Sequence, residues 1–566
     1  MNSQRQLNFL LIVVDDMGYS DCQPFGGEIR TPHIQELADH GVRFRNFHTS
    51  SLCAPTRAML LSGCDNHDAG LGNMPTAHAT NQYMQPGYEG FLNSDIQTIP
   101  EILKEAGYHT YMAGKWHLGE QKGRRPHSRG FERTFSFLGG GASHFNDQRP
   151  LSPFEQPHTK YSEDGKTVKN LPADFYSSNY YTDKMIQYVS EQEDDNPFFG
   201  YLAFTAPHDP LHVPDEWLTK YEGVYDGGYD MIQEKRLQQM KKLGLIPDEL
   251  TRNQGSGLFQ KWEELTVEER REAARKMEIY AAMIENLDWN LGRLFAHLKE
   301  RNQFDDTIIF FLSDNGANPK DPTFYTPNTK ESLAKEYDNR LENYGKINSF
   351  ISIGGGWAET ANTPLSYFKV TTYEGGTQTP LIVSGHRVHR RGVVTDETLH
   401  VTDILPTILD YANISYTPAE KGLKPLYGTS LKPYLQEETK QHVRNAFDVL
   451  CFEITECKAV LKGDWKLIFM PPPYGKGDEW HLYNLKEDLK EENNVASQFP
   501  EKFKELKADW EAYALSVGYI ESNGESALQK LGFEEFFRFG PRNRMGKNVK
   551  KKGAGSKKAA PTGLGD

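Results

Sequence analysis

The chain has 566 residues, 37% hydrophobic and 12% aromatic, enough for one large core and a smaller one, which excludes general disorder. Net charge is −14, but residues 541–566 hold eight Lys/Arg against one acid, so this tail carries +7 and the rest of the chain −21. So acidic a body excludes nucleic acid as a partner of the core and requires local positive charge for any anionic substrate. No apolar run approaches the ~18 residues of a membrane span, so no membrane segment is expected. Five cysteines (Cys22, Cys53, Cys64, Cys451, Cys457) are an odd count, sparse, and without metal-finger spacing. They point to a reducing compartment and a cytoplasmic protein.

In chain order, residues 7–14 form a near-continuous aliphatic run, the pattern of a parallel strand covered on both faces, and lead into Asp15-Asp16. Thr31-Pro32 opens a helix to about residue 40, with Gly41 as its stop. Residues 51–63 then place a cysteine at the start of a short helix. Pro55 suits the first turn, Gly63 the stop, and Arg57 follows Cys53 by one turn. Backbone N–H groups, the helix dipole and the guanidinium all favour an anion there, an unusual place for an inert thiol. A helix is expected at 99–106 and a strand at 108–113, ending at Gly114-Lys115-Trp116-His117. Residues 124–169 read as loop, including Gly139-Gly140-Gly141. A helix at 177–191 precedes an apolar strand at 197–204, which ends at Pro207-His208-Asp209-Pro210.

Residues 215–271 read as a helical insertion, and the three–four spacing of Met277, Tyr280, Ile284, Leu287, Leu291, Leu294 and Leu298 predicts a long amphipathic helix. A strand at 307–312 ends at Ser313-Asp314-Asn315-Gly316, and a polar excursion runs to about residue 363. Lys369, a strand at 381–384 and a helix at 401–412 follow. Beyond residue 440, short alternating segments at 457–461, 465–470 and 480–483 suggest a small antiparallel sheet, with a helix at 501–515 against it. The expected fold is therefore α/β: a large mixed, mostly parallel sheet flanked by helices, then a smaller antiparallel sheet plus helix. The expected division is 1–440, 441–535 and a basic disordered tail at 536–566.

Strand ends carry the chemistry. Asp15-Asp16, Lys115 with His117, His208, and Asp314-Asn315 all fall where an open α/β sheet binds ligands. Three carboxylates and an amide oxygen make an all-oxygen site for a hard cation, Ca²⁺ or Mg²⁺ rather than zinc. Lys115 and Lys369 can neutralise an anion, and the histidines can move protons near neutral pH. Taken singly, each is ordinary: an Asp-Asp turn, an Asp-Asn-Gly turn, a loop histidine, a surface lysine. The remaining four cysteines read as structural thiols. Cys-x-Pro-x-Arg would arise by chance in roughly one in a hundred such chains, given Pro and Arg near about 5% each.

These residues resemble the type I sulfatases of the alkaline-phosphatase superfamily, most closely the bacterial-type cytosolic arylsulfatases. Cys53-Ala54-Pro55-Thr56-Arg57 with Leu60-Leu61-Ser62-Gly63 is similar to the first family signature, with Ser62 where threonine is usual. Residues 107–117 are similar to the second, and Asp15-Asp16, His208, Asp314-Asn315 and Lys369 before Glu374-Gly375-Gly376 fall in the family's order. The similarity runs from about residue 7 to 520.

The resemblance implies that Cys53 is oxidised to formylglycine by a maturation enzyme. It implies a hydrated diol held by the metal and Arg57 that attacks the sulfur of a small sulfate ester, passing through a covalent sulfo-enzyme. Asp15, Asp16, Asp314 and Asn315, with the modified Cys53, would hold Ca²⁺ (Mg²⁺ possible). Lys115, Lys369 and His208 would bind sulfate oxygens, His208 would protonate the leaving alcohol or phenol, and His117 would help expel sulfate. The thiol is then better read as a precursor than as a thiolate nucleophile. Two rivals remain: a phosphonate monoester or phosphodiester hydrolase of the same superfamily, and an unmodified anion-binding protein. Aromatics at 324, 325, 344 and 357 would either wall the substrate pocket or fill core.

Overall fold

The computed structural model describes residues 6–152, 159–325, 327–437, 442–472, 474–475 and 479–523; the basic tail lies outside the described residues. At its centre is β1 (Asn8–Val14). Phe9, Leu11 and Val13 enter one apolar core, and Leu10, Ile12 and Val14 enter another. A strand buried on both faces needs the unbroken apolar run that the sequence shows.

Around it are β2 (Gly41–His48), β3 (His109–Lys115), β4 (Arg133–Phe137), β5 (Tyr161–Glu163), β6 (Lys166–Val168), β7 (Phe198–Ala203), β8 (Thr307–Ser313), β9 (Gln378–Ser384), β10 (Val393–Thr395) and β11 (Leu399–His400). They form an 11-stranded sheet in the order β10-β2-β9-β8-β1-β7-β3-β4-β5-β6, with β11 also on β2. β8, β1, β7, β3 and β4 are mutually parallel. β9 is antiparallel to both β8 and β2, so β2 points the same way as the central strands. The carboxyl ends of β1, β2, β3, β7 and β8 therefore share one edge with the amino end of β9.

Helices Ser177–Ser190 and Val267–Glu300 cover the face of Leu10, and helices Cys53–Ser62, Ile99–Glu105 and Ile404–Tyr411 cover the face of Phe9. A second, antiparallel sheet is a meander of β12 (Val449–Ile454), β13 (Cys457–Lys462), β14 (Trp465–Phe469) and β15 (Trp480–Asn484). Leu506, Trp510 and Tyr513 of helix Pro500–Ser516 pack on its Val460, Leu467 and Leu482. Its opposite face, with Phe452, Ala459, Leu461 and Ile468, joins the main core.

The architecture matches the expected class, with two local corrections. Residues 124–169, expected to be loop, supply β4, β5 and β6. Gly41, expected to stop a helix, is also the first residue of β2. Both main strands escape a periodicity reading for the same reason. Arg43 and Arg45 interrupt β2, Arg133 heads the five-residue β4, and so short a run fixes no period. Tertiary contacts resolve it: Arg43 is buried, with Nη1 donating to Pro24 O at 3.3 Å.

Candidate active site

All ten residues singled out in the sequence meet at the shared strand edge. Asp15 and Asp16 follow β1, Lys115 ends β3, Asp314 and Asn315 follow β8, and Cys53 opens the helix beyond β2. Lys115 Nζ lies 2.6 Å from Asp15 Oδ2, and Lys369 Nζ 2.5 Å from Asp16 Oδ1. Arg57 donates Nε and Nη2 to Asp314 Oδ2 at 3.0 and 2.7 Å. Asn315 Nδ2 donates to Asp16 Oδ1 at 2.6 Å, and His208 Nε2 is 3.5 Å from Asp16 Oδ2. Cys53 Sγ is 3.3 Å from His117 Nδ1, and Asp15, Cys53 and Asp314 offer ligand atoms within 4.8 Å of one another.

The electrostatics sort these groups by task. Burial would raise the Cys53 thiol, but the Lys115 and Lys369 ammonium groups outweigh it and lower its pKa. Burial, Lys115 and Arg57 all hold His117 well below the usual imidazole value, so it is neutral and able to accept a proton. Burial pulls His208 the same way, but the carboxylates of Asp16 and Asp209 overcome it and raise its pKa, so it can carry a proton to donate. Burial and the adjacent Asp15 push Asp314 up to about 6. Asp16, although desolvated, is held far below the usual carboxylate range by Lys369, His208 and Lys115.

The donor set fits a hard cation. Asp15 Oδ1, Asp16 Oδ2 and Asn315 Oδ1 are buried without a hydrogen-bond partner. An unpartnered buried polar atom is costly, and three such oxygens from the set singled out by residue type could hold a divalent cation.

Several supporting residues gave no signal in the sequence. Ser51 and Val370 clamp the two loops that carry Cys53 and Lys369: Val370 N donates to Ser51 O at 2.8 Å, and Ser51 Oγ to Val370 O at 2.9 Å. Val370 (φ 82°), Asp16 (φ 70°) and His117 (φ 58°) all occupy the left-handed region. Such strain persists only where the surroundings enforce it. Gly140 and Gly141 press on the two histidines. A Cβ at 140 would lie 2.8 Å from His117 Cε1, and one at 141 would lie 2.9 Å from His208 Cε1. Lys320 is buried beside the site, lowered to about 8 by burial and by Lys369.

Of the aromatics considered for the pocket wall, Trp357 is core. It is fully buried against Tyr225, Tyr229 and Trp262, with Nε1 donating to Ala273 O at 2.7 Å. Tyr325 instead reaches the site, its hydroxyl donating to Asp209.

The chain matches the family "Sulfatase" over residues 7–414 and "N-sulphoglucosamine sulphohydrolase, C-terminal" over residues 366–513. It is 43% identical over 431 residues to an arylsulfatase of Klebsiella aerogenes, covering 76% of this chain and 92% of that one. It is 41% identical over 540 residues to an uncharacterized sulfatase of Schizosaccharomyces pombe, covering 93% and 96% respectively. The structure of Ps i-CgsB in complex with k-i-k-neocarrahexaose superposes with a TM-score of 0.65 at 21% identity, over 96% of this chain and all of that one, a likeness of fold.

Proposed function

The chain belongs to the sulfatase family and is a sulfuric ester hydrolase, and from that premise we propose that it hydrolyses aryl and related alkyl sulfate monoesters at the site around Cys53. The observation that carries this reading is the convergence of a helix-N-terminal cysteine, two lysines, two oppositely tuned histidines and three orphaned oxygens on one sheet edge.

In this reading Cys53 is converted to formylglycine by a maturation enzyme, and its hydrate supplies both the nucleophile toward sulfur and the hydroxyl whose deprotonation frees the enzyme. Asp15, Asp16, Asp314 and Asn315 would hold Ca²⁺, or Mg²⁺, which would add Lewis-acid stabilisation of charge on the sulfuryl group. Lys115 and Lys369 would bind the remaining oxygens of a sulfate monoester, the anion sharing the ammonium groups now paired with Asp15 and Asp16. Arg57, fixed by Asp314, by Lys115 O and by Tyr201, orients the residue-53 side chain. His208 donates the proton to the departing alcohol or phenol oxygen. His117, neutral and 3.3 Å from the residue-53 side chain, accepts one later.

We further propose a division of the chain near residue 440 and residence in the cytoplasm. Five cysteines without a disulfide support the latter, and no described helix is long and apolar enough to cross a membrane. Mass spectrometry of the Cys53 peptide from the native host, paired with turnover of 4-nitrophenyl sulfate against a phosphonate monoester, tests the reading. Formylglycine with sulfate turnover dominant is expected. An unmodified thiol would remove the mechanism, and phosphonate turnover faster by orders of magnitude would remove the sulfatase assignment of the site. Cys53→Ala should fold normally by circular dichroism and lose turnover entirely.

A further inference from the structure

His208 is fixed from three sides. Its main-chain oxygen accepts from His144 Nε2 at 2.8 Å, and its ring rests against Gly141. Its Nδ1 faces Asp209, 2.7 Å from the backbone O and 3.0 Å from Oδ1. With Nδ1–H committed there, Nε2 is the ring nitrogen left facing Asp16 and the Cys53 region.

The Asp209 carboxylate is itself fully engaged and 4% exposed. Ser352 Oγ donates to Oδ2 at 2.6 Å. Tyr325 hydroxyl lies 2.8 and 2.9 Å from the two oxygens, and Asn318 Nδ2 donates to Oδ1 at 3.2 Å. All three of these donors come from residues 318–352, and His208 Nδ1 lies beside the carboxylate as its ion-pair neighbour. Burial alone would raise Asp209, but His208 and these hydrogen bonds keep its pKa below the ordinary value.

We propose that Asp209 is a positioning residue for His208: its backbone O takes Nδ1–H, its carboxylate beside Nδ1 holds the ring in the orientation in which Nε2 faces the leaving-group oxygen, and Tyr325, Ser352 and Asn318 hold that carboxylate in place. The inference rests on the reading of His208 as the proton donor. The physical reason is that Nδ1–H is taken by the backbone O at 2.7 Å while the carboxylate oxygen 3.0 Å from Nδ1 adds a charge attraction that a neutral side chain would not supply. A ring turned over would put a carbon against that carboxylate. An orienting carboxylate also stabilises the protonated imidazole without itself taking the proton. Asn at 209 keeps the backbone acceptor but replaces the charge beside Nδ1 with a neutral amide whose N–H₂ repels Nδ1–H, so the ring loses the attraction that holds its orientation.

The test is steady-state kinetics of the matured, metal-loaded enzyme. Wild type, D209N, H208A and the double variant are assayed with 4-nitrophenyl sulfate and with an alkyl sulfate whose leaving group is far more basic. General acid catalysis contributes about 10²–10⁴-fold, so D209N should lose on the order of 10²-fold with the alkyl sulfate and only several-fold with the nitrophenyl ester. In the H208A background the D209N change should cost less than about twofold more, because the residue through which it acts is gone.

Equal losses on both substrates, no loss, or losses that multiply with those of H208A would each overturn the proposal. If H208A itself shows no leaving-group dependence, it is the parent reading of His208 that falls. Should D209N not accumulate as folded protein, Y325F and S352A each remove one donor that fixes the carboxylate. Their losses should be skewed toward the alkyl sulfate, and unskewed or absent losses would refute the idea.

Discussion

A single methyl group placed behind His208 tests how tightly the site is built. In Gly141→Ala the new Cβ would sit 2.5 Å from Leu151 Cδ1, 2.9 Å from His208 Cε1 and 3.2 Å from His208 Nδ1, where ordinary contact begins at 3.4 Å. Leu151 can rotate its terminal methyl aside, so the histidine decides the outcome. The ring must retreat by about half an ångström, against a carboxylate that is itself held by three donors, or the glycine loop must move. Overpacking of this kind costs about 1–3 kcal/mol, and a misplacement of about 1 Å at a reacting group costs about 10²-fold in rate.

The expected result is a 10- to 100-fold fall in kcat/KM for a sulfate ester with a basic leaving group, and a smaller fall for 4-nitrophenyl sulfate. Gly140→Ala supplies the contrast. Its Cβ would meet His117 at 2.8 and 2.9 Å, so it should damage the step after the leaving group has gone. That step lowers kcat for both substrates alike, and KM with it. Native kinetics in Gly141→Ala, or the same substrate pattern from the two glycine variants, would refute the view that these glycines set the two histidines separately.

Two further outcomes follow from the same geometry. Adding Ca²⁺ to chelator-treated protein should raise the thermal midpoint in calorimetry, because a ligand bound only by the folded state at about 100 times its Kd adds about 2.7 kcal/mol; Asp314→Asn should shrink that rise, and an unchanged rise would remove Asp314 from the cation site. His67 is buried between Asp65 and Glu453, each 3.0 Å away, and although burial opposes it, the two carboxylates raise its pKa to about 10. A folded pKa above the unfolded value means this stabilisation is complete below about pH 6.5 and is lost as pH rises through about 10, an upper limit of about 5 kcal/mol. The thermal midpoint should fall across that window in wild type and less steeply in His67→Gln, and parallel slopes would argue against a charged His67.

What could be read in the chain follows from how local each cause is. β1 declares itself because both of its faces are buried, so every residue after Asn8 is apolar, and Asp15-Asp16 then falls at a strand end by counting alone. The Cys53 helix declares itself through Pro55 and the left-handed cap at Gly63 (φ 66°). β2 does not, because Arg43 and Arg45 are satisfied by contacts far away in sequence, such as Arg45 Nη1 with Leu245 O at 2.9 Å. Most of the ten candidate residues are visible because they lie at or just past the end of a legible element, whereas Arg57, inside its helix, and Lys369, in a loop, are visible through the motifs they belong to. Asp209, Val370 and the glycines behind the histidines are not, since apart from the adjacent His208 the partners their work depends on lie between 23 and 319 positions away, and one Gly-Gly-Gly or His-Asp-Pro string looks like any other loop.

The second sheet shows why the site is not confined to the larger one. Lys466 on β14 reaches into the seam between them, 2.5 Å from Glu374 Oε1 and 3.0 Å from Glu491 Oε1. Glu374 Oε2 lies 2.9 Å from His48 Nε2, at the end of β2, and Glu374 N donates to Glu491 Oε2 at 2.7 Å. All four side chains are fully buried. Burial works against both carboxylates, but Lys466 and His48 hold Glu374 below the usual carboxylate range, whereas burial and the adjacent Glu374 push Glu491 above it. Removing one partner of such an ion pair costs about 3–5 kcal/mol, because the other is left charged and unsolvated. Glu374 begins the short helix that leads into β9, and Lys369 lies five residues before it, in a segment also tied by Ser366 to Lys490 O and by Thr372 to Lys458 O. The segment that delivers Lys369 to Asp16 is thus held on its far side by the second sheet, and the position of that lysine is set jointly by both sheets.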